Sequence, residues 1–215
     1  MRINRYIALS TGLSRRSADA AIAAGRVLVN GTQPSSGHDV VPADSVLLDG
    51  KAVHPPKTTT TIILNKPASF VCSRDGQGSK TIYELLPPNL HHLKPIGRLD
   101  KYSSGLLLMS DDGKLAQQLT HPSFQKKKIY NVTLDRELSH NDALAIESGI
   151  PLEDGPSRLQ LDGHGRSWVI TMHEGRNRQI RRTFAACGYE VVSLQRTAVG
   201  SYALGTLKVG TYRFI

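Results

Sequence analysis

Cysteine is scarce in these 215 residues: Cys72 and Cys187 stand far apart and make neither a disulfide framework nor a zinc site. Long hydrophobic runs are also missing. Nothing approaches the roughly eighteen consecutive apolar residues of a membrane span, and no long apolar core follows Arg2 and Arg5 as it would in a secretion signal. A cytoplasmic protein with no membrane attachment is expected. The histidines His91, His92, His121, His140, His164 and His173 show no H-x-x-x-H or similar ligand spacing, so no metal is expected. Neither a G-x-x-x-x-G-K-[ST] run nor a dinucleotide fingerprint occurs, which argues against a nucleotide cofactor. Acidic residues are the scarcer charge, 18 against 27 Lys and Arg, and the net +9 suits a polyanionic partner. How the cations group along a face matters more than their sum.

What is present divides in two. Residues Met1 to about Val53 form a small module: Ile3, Tyr6 and Ile7 follow helical spacing up to Gly12, and Ser14 caps a second helix, Arg15 to Ala24. Val27-Leu28-Val29, Val46-Leu47-Leu48 and Ala52-Val53 read as short strands, with turns at Asn30-Gly31 and Asp49-Gly50. Arg2, Arg5, Arg15, Arg16 and Arg26 fall in the helical half, and Asp39, Asp44 and Asp49 in the strand half. That split suggests either one positive face for a phosphate backbone or a solvated helix surface. The prolyl, polar stretch His54 to Thr60 is the expected linker, placing one domain at 1–57 and a second at 58–215.

The second domain opens with a strand at Thr61 to Leu64, and Leu106 to Met109 reads as a buried strand closed by Asp112-Gly113. A helix is predicted at Lys114 to His121, a strand at Lys128 to Leu134, and a helix after Ser139 that ends at Gly149. Further strands are predicted at Leu159 to Leu161, Trp168 to Met172, Glu190 to Leu194 and Thr206 to Phe214, with a helix from Arg176 to Ala186. Strands outnumber helices, so the domain is expected to be α+β around a largely antiparallel sheet.

Three features carry possible chemistry. Asp100 sits on a loop between Arg98 and the hydroxyl pair Ser103-Ser104; taken alone it reads as a turn former or helix cap, and no histidine base is positioned to make either serine a nucleophile. Tyr130 closes the run Lys126-Lys127-Lys128-Ile129-Tyr130. It is either half-buried packing or a surface on which a base stacks while the lysines hold phosphates. In E-G-R-N-R-Q-I-R-R-T-F, helical spacing turns Ile180 and Phe184 to the core and gathers Arg178, Arg181 and Arg182 opposite. Four arginines within residues 176–182 repel one another unless anions lie close, which favours an anion-facing role.

The ordered set L-N-K-P, G-R-L-D-K-Y-S-S-G-L-L-L-M-S-D-D-G, K-K-I-Y-N-V and H-E-G-R-N-R-Q-I-R-R-T-F resembles the RsuA-like family of ribosomal RNA pseudouridine synthases. The first fifty residues resemble the RNA-binding module first known from a small-subunit ribosomal protein, two helices and a V-x-V-N-G hairpin. The resemblance implies that Asp100 is the catalytic aspartate, that Tyr130 lies against the uracil ring, and that Arg181 pairs with the aspartate. Arg98 is implied to contact RNA where the target base has left its stack. Lys66, Lys126, Lys127, Lys128, Arg176, Arg178 and Arg182, with Arg2, Arg5, Arg15, Arg16 and Arg26 of the module, complete the expected RNA contacts. Ser103 stands where the family more often has threonine, and the family's extra C-terminal tail is absent after Ile215.

The implied reaction isomerises one uridine of ribosomal RNA, with large-subunit RNA favoured over small-subunit RNA, and requires no cofactor. The expected partner is ribosomal RNA or a pre-ribosomal particle, met by a monomer. The competing reading is a non-catalytic RNA-binding or ribosome-assembly factor, which has no need of a loop carboxylate among cations. A glycoside hydrolase needs two carboxylates flanking one bond, and Asp100 has no evident partner.

Overall fold

The computed structural model describes residues 1–55 and 58–215; of the expected linker, Pro56 and Lys57 lie outside the described residues. The chain separates into two compact units, Met1–Thr59 and Thr60–Ile215.

In the first unit, α1 (Ile3–Thr11) and α2 (Arg15–Ala23) pack beside a three-stranded antiparallel sheet of β1 (Val27–Val29), β2 (Val46–Leu48) and β3 (Lys51–Ala52). Gly12 ends α1 in the left-handed conformation, φ 77°, and its N–H donates to the Ala8 carbonyl. Ser14 Oγ caps α2 by accepting from Ser17 N–H at 3.0 Å. Ile3, Ile7, Ala18, Ile22, Val27, Val29 and Val46 bury between helices and sheet. Asn30-Gly31 and Asp49-Gly50 all have positive φ, as tight primed turns require. The first turn leads back only to an isolated bridge at Thr32, and β1 pairs instead with β2, reached by a longer excursion.

The expected charge split between helices and strands is partly cancelled inside this unit. Arg26 forms a bidentate pair with Asp49, 2.8 and 2.6 Å, while Arg2 bonds the Gly37 carbonyl and lies 3.5 Å from Asp39. Arg15 donates to Asn4 at 3.2 Å. The side chains of Arg5 and Arg16 engage no partner among the described residues.

The second unit is α+β. Its sheet runs β12 (Tyr212–Phe214), β4 (Thr61–Lys66), β6 (Ser104–Ser110), β10 (Val191–Val199), β7 (Lys128–Leu134), β9 (Ser167–Met172), β8 (Gln160–His164), with β5 (Lys94–Pro95) and β11 (Tyr202–Ala203) attached to β6 and β10. All pairings are antiparallel except that of β6 with β10. The central strands are buried on both faces because alternate side chains enter different cores. Ile62, Leu64, Leu107 and Met109 pack with Phe184, Ile146 and Ile82 on one side; Ile63, Leu106 and Leu108 pack with Leu119 and Leu204 on the other.

Around the sheet lie α3 (Gly113–Thr120), α4 (His140–Ser148) and α5 (Gln179–Ala186). Asp112 caps α3 by accepting from Lys114 and Leu115 N–H, and Ser139 Oγ caps α4 by accepting from Asp142 N–H at 3.1 Å. Some predicted boundaries shift. The helix expected from Arg176 begins at Gln179, because Arg178 is left-handed with φ 46°. The strand expected over Thr206 to Phe214 is confined to Tyr212–Phe214, after a turn at Gly210. No helix among the described residues is long and apolar enough to cross a membrane.

Candidate active site

A pocket of about 470 Å³ opens in the second unit, and both Asp100 and Tyr130 line it. Asp100 reaches it from the loop between β5 and β6, and Tyr130 from β7, 8 % exposed. Arg98, Lys126, Lys128, Arg176, Arg178 and Arg196 also line the pocket, with Glu174 the second acidic residue. The Asp100 carboxylate makes no hydrogen bond or ion pair among the described residues.

The loop carrying Asp100 is held by its backbone. A turn closes it, Ser103 N–H donating to the Asp100 carbonyl at 3.0 Å. Beneath the turn, the fully buried ammonium of Lys66 donates to the carbonyls of Pro67 (3.0 Å), Asp100 (3.1 Å) and Ser103 (2.7 Å), with Lys101 O at 3.5 Å. Burial pushes this amine down from its ordinary 10.5 to about 8. Lys66 was expected to touch RNA; instead it is enclosed, with its donors turned to the loop. On the flank, the Cys72 thiol bonds the Leu99 carbonyl at 3.3 Å and accepts from Leu99 N–H at 3.4 Å.

Gly105, just past the loop, explains a glycine of the motif. A side chain there would place Cβ 2.2 Å from the Arg196 carbonyl, so only glycine lets β6 and β10 approach as parallel neighbours. That approach sets Arg196 next to the loop.

Arg181 departs from the expected ion pair. Its Nη1 donates to Val191 O at 2.6 Å and its Nη2 to Tyr102 O at 2.9 Å, and its Nε is buried without a partner. Burial and the neighbouring Arg178 lower its pKa, while Asp100 and Glu190 oppose the shift. Arg181 is therefore within electrostatic range of Asp100 but fastens the loop through the Tyr102 carbonyl, its two terminal nitrogens each turned to a backbone carbonyl.

The anion expected near the arginines of α5 belongs to the chain itself. Arg182 holds Asp154 with both terminal nitrogens, 3.0 and 2.6 Å, and Arg176 holds the same carboxylate at 2.9 Å and the carbonyls of Gly155 and Pro156 at 2.8 Å each. These bonds keep the Asp154 carboxyl below the usual carboxylate range. Arg176 and Arg182, expected to meet RNA phosphates, thus clamp the 154–156 loop. Arg178, pulled off the helix by its left-handed backbone, is exposed at the pocket with no partner among the described residues. Arg98 and Lys126 also line the pocket, their side chains without partners among the described residues, and Lys127 is exposed. Lys128 is half-buried, its Nζ 3.4 Å from the carbonyls of His173 and Glu174; burial lowers its pKa, with Arg196.

Residues 60–186 match the family model described as RNA pseudouridylate synthase. The ribosomal small subunit pseudouridine synthase A of Vibrio parahaemolyticus is 34% identical, over 100% of this chain and 96% of that protein. The ribosomal large subunit pseudouridine synthase B of Pseudomonas aeruginosa is 34% identical over 93% of this chain and 55% of its own length. The crystal structure of a pseudouridylate synthase superposes with a TM-score of 0.73 at 32% identity, covering 100% of this chain and 96% of that one. Matched by the family model over more than half its length and by relatives along all of it, the chain belongs to the RNA pseudouridine synthase family.

Proposed function

We propose that this protein isomerises a uridine of ribosomal RNA to pseudouridine, with Asp100 as its catalytic carboxylate. The observation that carries the proposal is the presence of an unpaired carboxylate and a buried tyrosine in the wall of one cation-lined pocket. The reaction breaks the bond from uracil N1 to ribose C1′, turns the base while it stays bound, and joins C5 to C1′; the C5 proton leaves and N1 gains one. Nothing is oxidised and no group is carried in. Asp100 acts on the nucleotide, Tyr130 gives the detached ring an aromatic wall, and the unpartnered cations Arg98, Lys126 and Arg178 meet the backbone of a flipped nucleotide. Arg181 holds the loop in place from behind.

The likeness of Glu174 to Arg182 favours large-subunit RNA, whereas the Vibrio parahaemolyticus relative, which spans the whole chain, is named for the small subunit. Large-subunit RNA is the first target to assay and small-subunit RNA the second. Transcripts of both, tritiated at uracil C5, are incubated with the enzyme. Release of about one tritium per transcript, at a uridine then mapped, is the expected result, and no release from either sinks the proposal.

The expected N-terminal domain, residues 1–57, is proposed to dock the RNA through Arg5, Arg15 and Arg16, the cations least engaged by neighbouring carboxylates. Its removal is expected to flatten the dependence of log affinity on log salt by about 2 to 3, since each neutralised phosphate contributes about 0.7 to 0.9. An unchanged slope in filter binding would rule this docking out.

A further inference from the structure

Arg196 is a cation the proposed reaction has not yet used. It lies on β10, opposite Tyr130 of β7 and beside Gly105 of β6, and it lines the pocket with Asp100 and Tyr130. It is only 5 % exposed, yet no carboxylate among the described residues lies within ion-pair distance. Its Nε donates to Leu106 O at 2.9 Å, which fixes the side chain, and the two terminal nitrogens have no partner among the described residues. Its charged neighbours include Lys66 and Lys128, both cationic. A guanidinium buried this far without a counter-charge is costly unless a ligand completes it.

We propose that Arg196 is a further catalytic residue, whose free terminal nitrogens bind a carbonyl oxygen of the flipped uracil and stabilise the negative charge the ring acquires. This rests on the isomerase reading above. When N1–C1′ breaks, the bonding pair leaves with the base, and the charge spreads over N1 and the two ring carbonyls. If a carboxylate adds to the ring instead, the charge falls on a carbonyl oxygen as well. Arg196 remains protonated throughout and transfers nothing. Its place favours the base over a phosphate. Residues directly opposite on neighbouring strands share a face, so Arg196 stands beside the tyrosine against which the ring lies. The exposed cations Arg98 and Arg178 are better placed for the backbone.

The test compares the full-length enzyme with Arg196→Met and Arg196→Lys on the ribosomal RNA transcript that the wild type modifies, under single-turnover conditions. Arg196→Met is expected to slow conversion about 10²- to 10³-fold, as loss of one preorganised donor does, while RNA affinity stays within about threefold and its salt slope is unchanged. Arg196→Lys recovers part of the rate. A more acidic base needs less help: on RNA carrying 5-fluorouridine at the target, the Arg196→Met defect in base detachment shrinks at least about fivefold. A defect equal on both RNAs means a structural role and overturns the proposal. So does a loss confined to affinity with a salt slope lower by about one, which marks a phosphate contact, or wild-type conversion by Arg196→Met. If the wild type converts no uridine, the isomerase reading falls and this inference with it; if only Arg196→Met behaves as wild type, this inference alone falls.

Discussion

Asp100→Asn is expected to lower tritium release by about 10⁴-fold or more while RNA affinity stays equal or rises slightly. The size follows from the place of this carboxylate in the reaction: whichever of attack on C1′, addition to the ring or removal of a ribose proton it performs, the amide can do none of them. The harmlessness to the fold follows from the geometry. Among the described residues no hydrogen bond or ion pair ends on the Asp100 carboxylate, and its loop is held through backbone atoms, by Lys66 on the Asp100 and Ser103 carbonyls, Arg181 on Tyr102 and Cys72 on Leu99. Asparagine keeps those bonds and removes one negative charge from a pocket that meets a polyanion. Unchanged melting with lost release separates chemistry from stability, and release by Asp100→Asn at the wild-type rate would refute the assignment.

Much of the architecture was readable because it is local. Gly12, Ser14 and Ser139 announce helix ends through their own backbone or side-chain bonds, and Lys128 to Leu134 alternates as a strand must; all four occur where the pattern puts them. The parts that escaped depend on distant residues. The strand read as ending at Leu194 continues to Val199, since Gln195, Arg196 and Thr197 interrupt the apolar pattern and a register shift after Arg196 breaks the alternation. Arg196 was lost with that extension. The arginine cluster shows the same limit. Mutual repulsion correctly implied nearby anions, but the partner of Arg176 and Arg182 is Asp154, more than twenty residues upstream and invisible to any helical period. Starting the helix three residues early also gave Arg178 a place on the helical wheel, whereas it is the left-handed residue that precedes α5.

Lys66 was misread for a related reason, and it supports the second large effect. A lysine at the end of a strand is normally a surface cation. Here one ammonium meets the Asp100 and Ser103 carbonyls of the turn that presents Asp100, along with the Pro67 carbonyl beside it in sequence, an arrangement visible only when β4 and that loop are brought together. Lys66→Met fills similar space but takes one donor from each of those carbonyls, the Asp100 carbonyl keeping only Ser103 N–H, so the loop shifts, and a displacement on the order of 1 Å at the reacting group costs about 10²-fold in rate. The pH dependence distinguishes this from simple destabilisation. An unfolded chain titrates Lys66 near 10.5 and the folded protein near 8. Below about 8 the amine is charged in both states and the folded state bears its burial penalty in full. Between 8 and 10.5 the unfolded chain binds more protons, so this residue's contribution to stability rises with pH, by on the order of 3 kcal/mol in all. Turnover moves the other way: a neutral amine has two donors for the carbonyls, and the loop loosens as pH passes about 8. The wild type should therefore lose rate above pH 8 while its melting temperature gains from this group, and Lys66→Met should be slow with that limb missing. Wild-type rate and pH profile in Lys66→Met would show that the loop stands without its lysine.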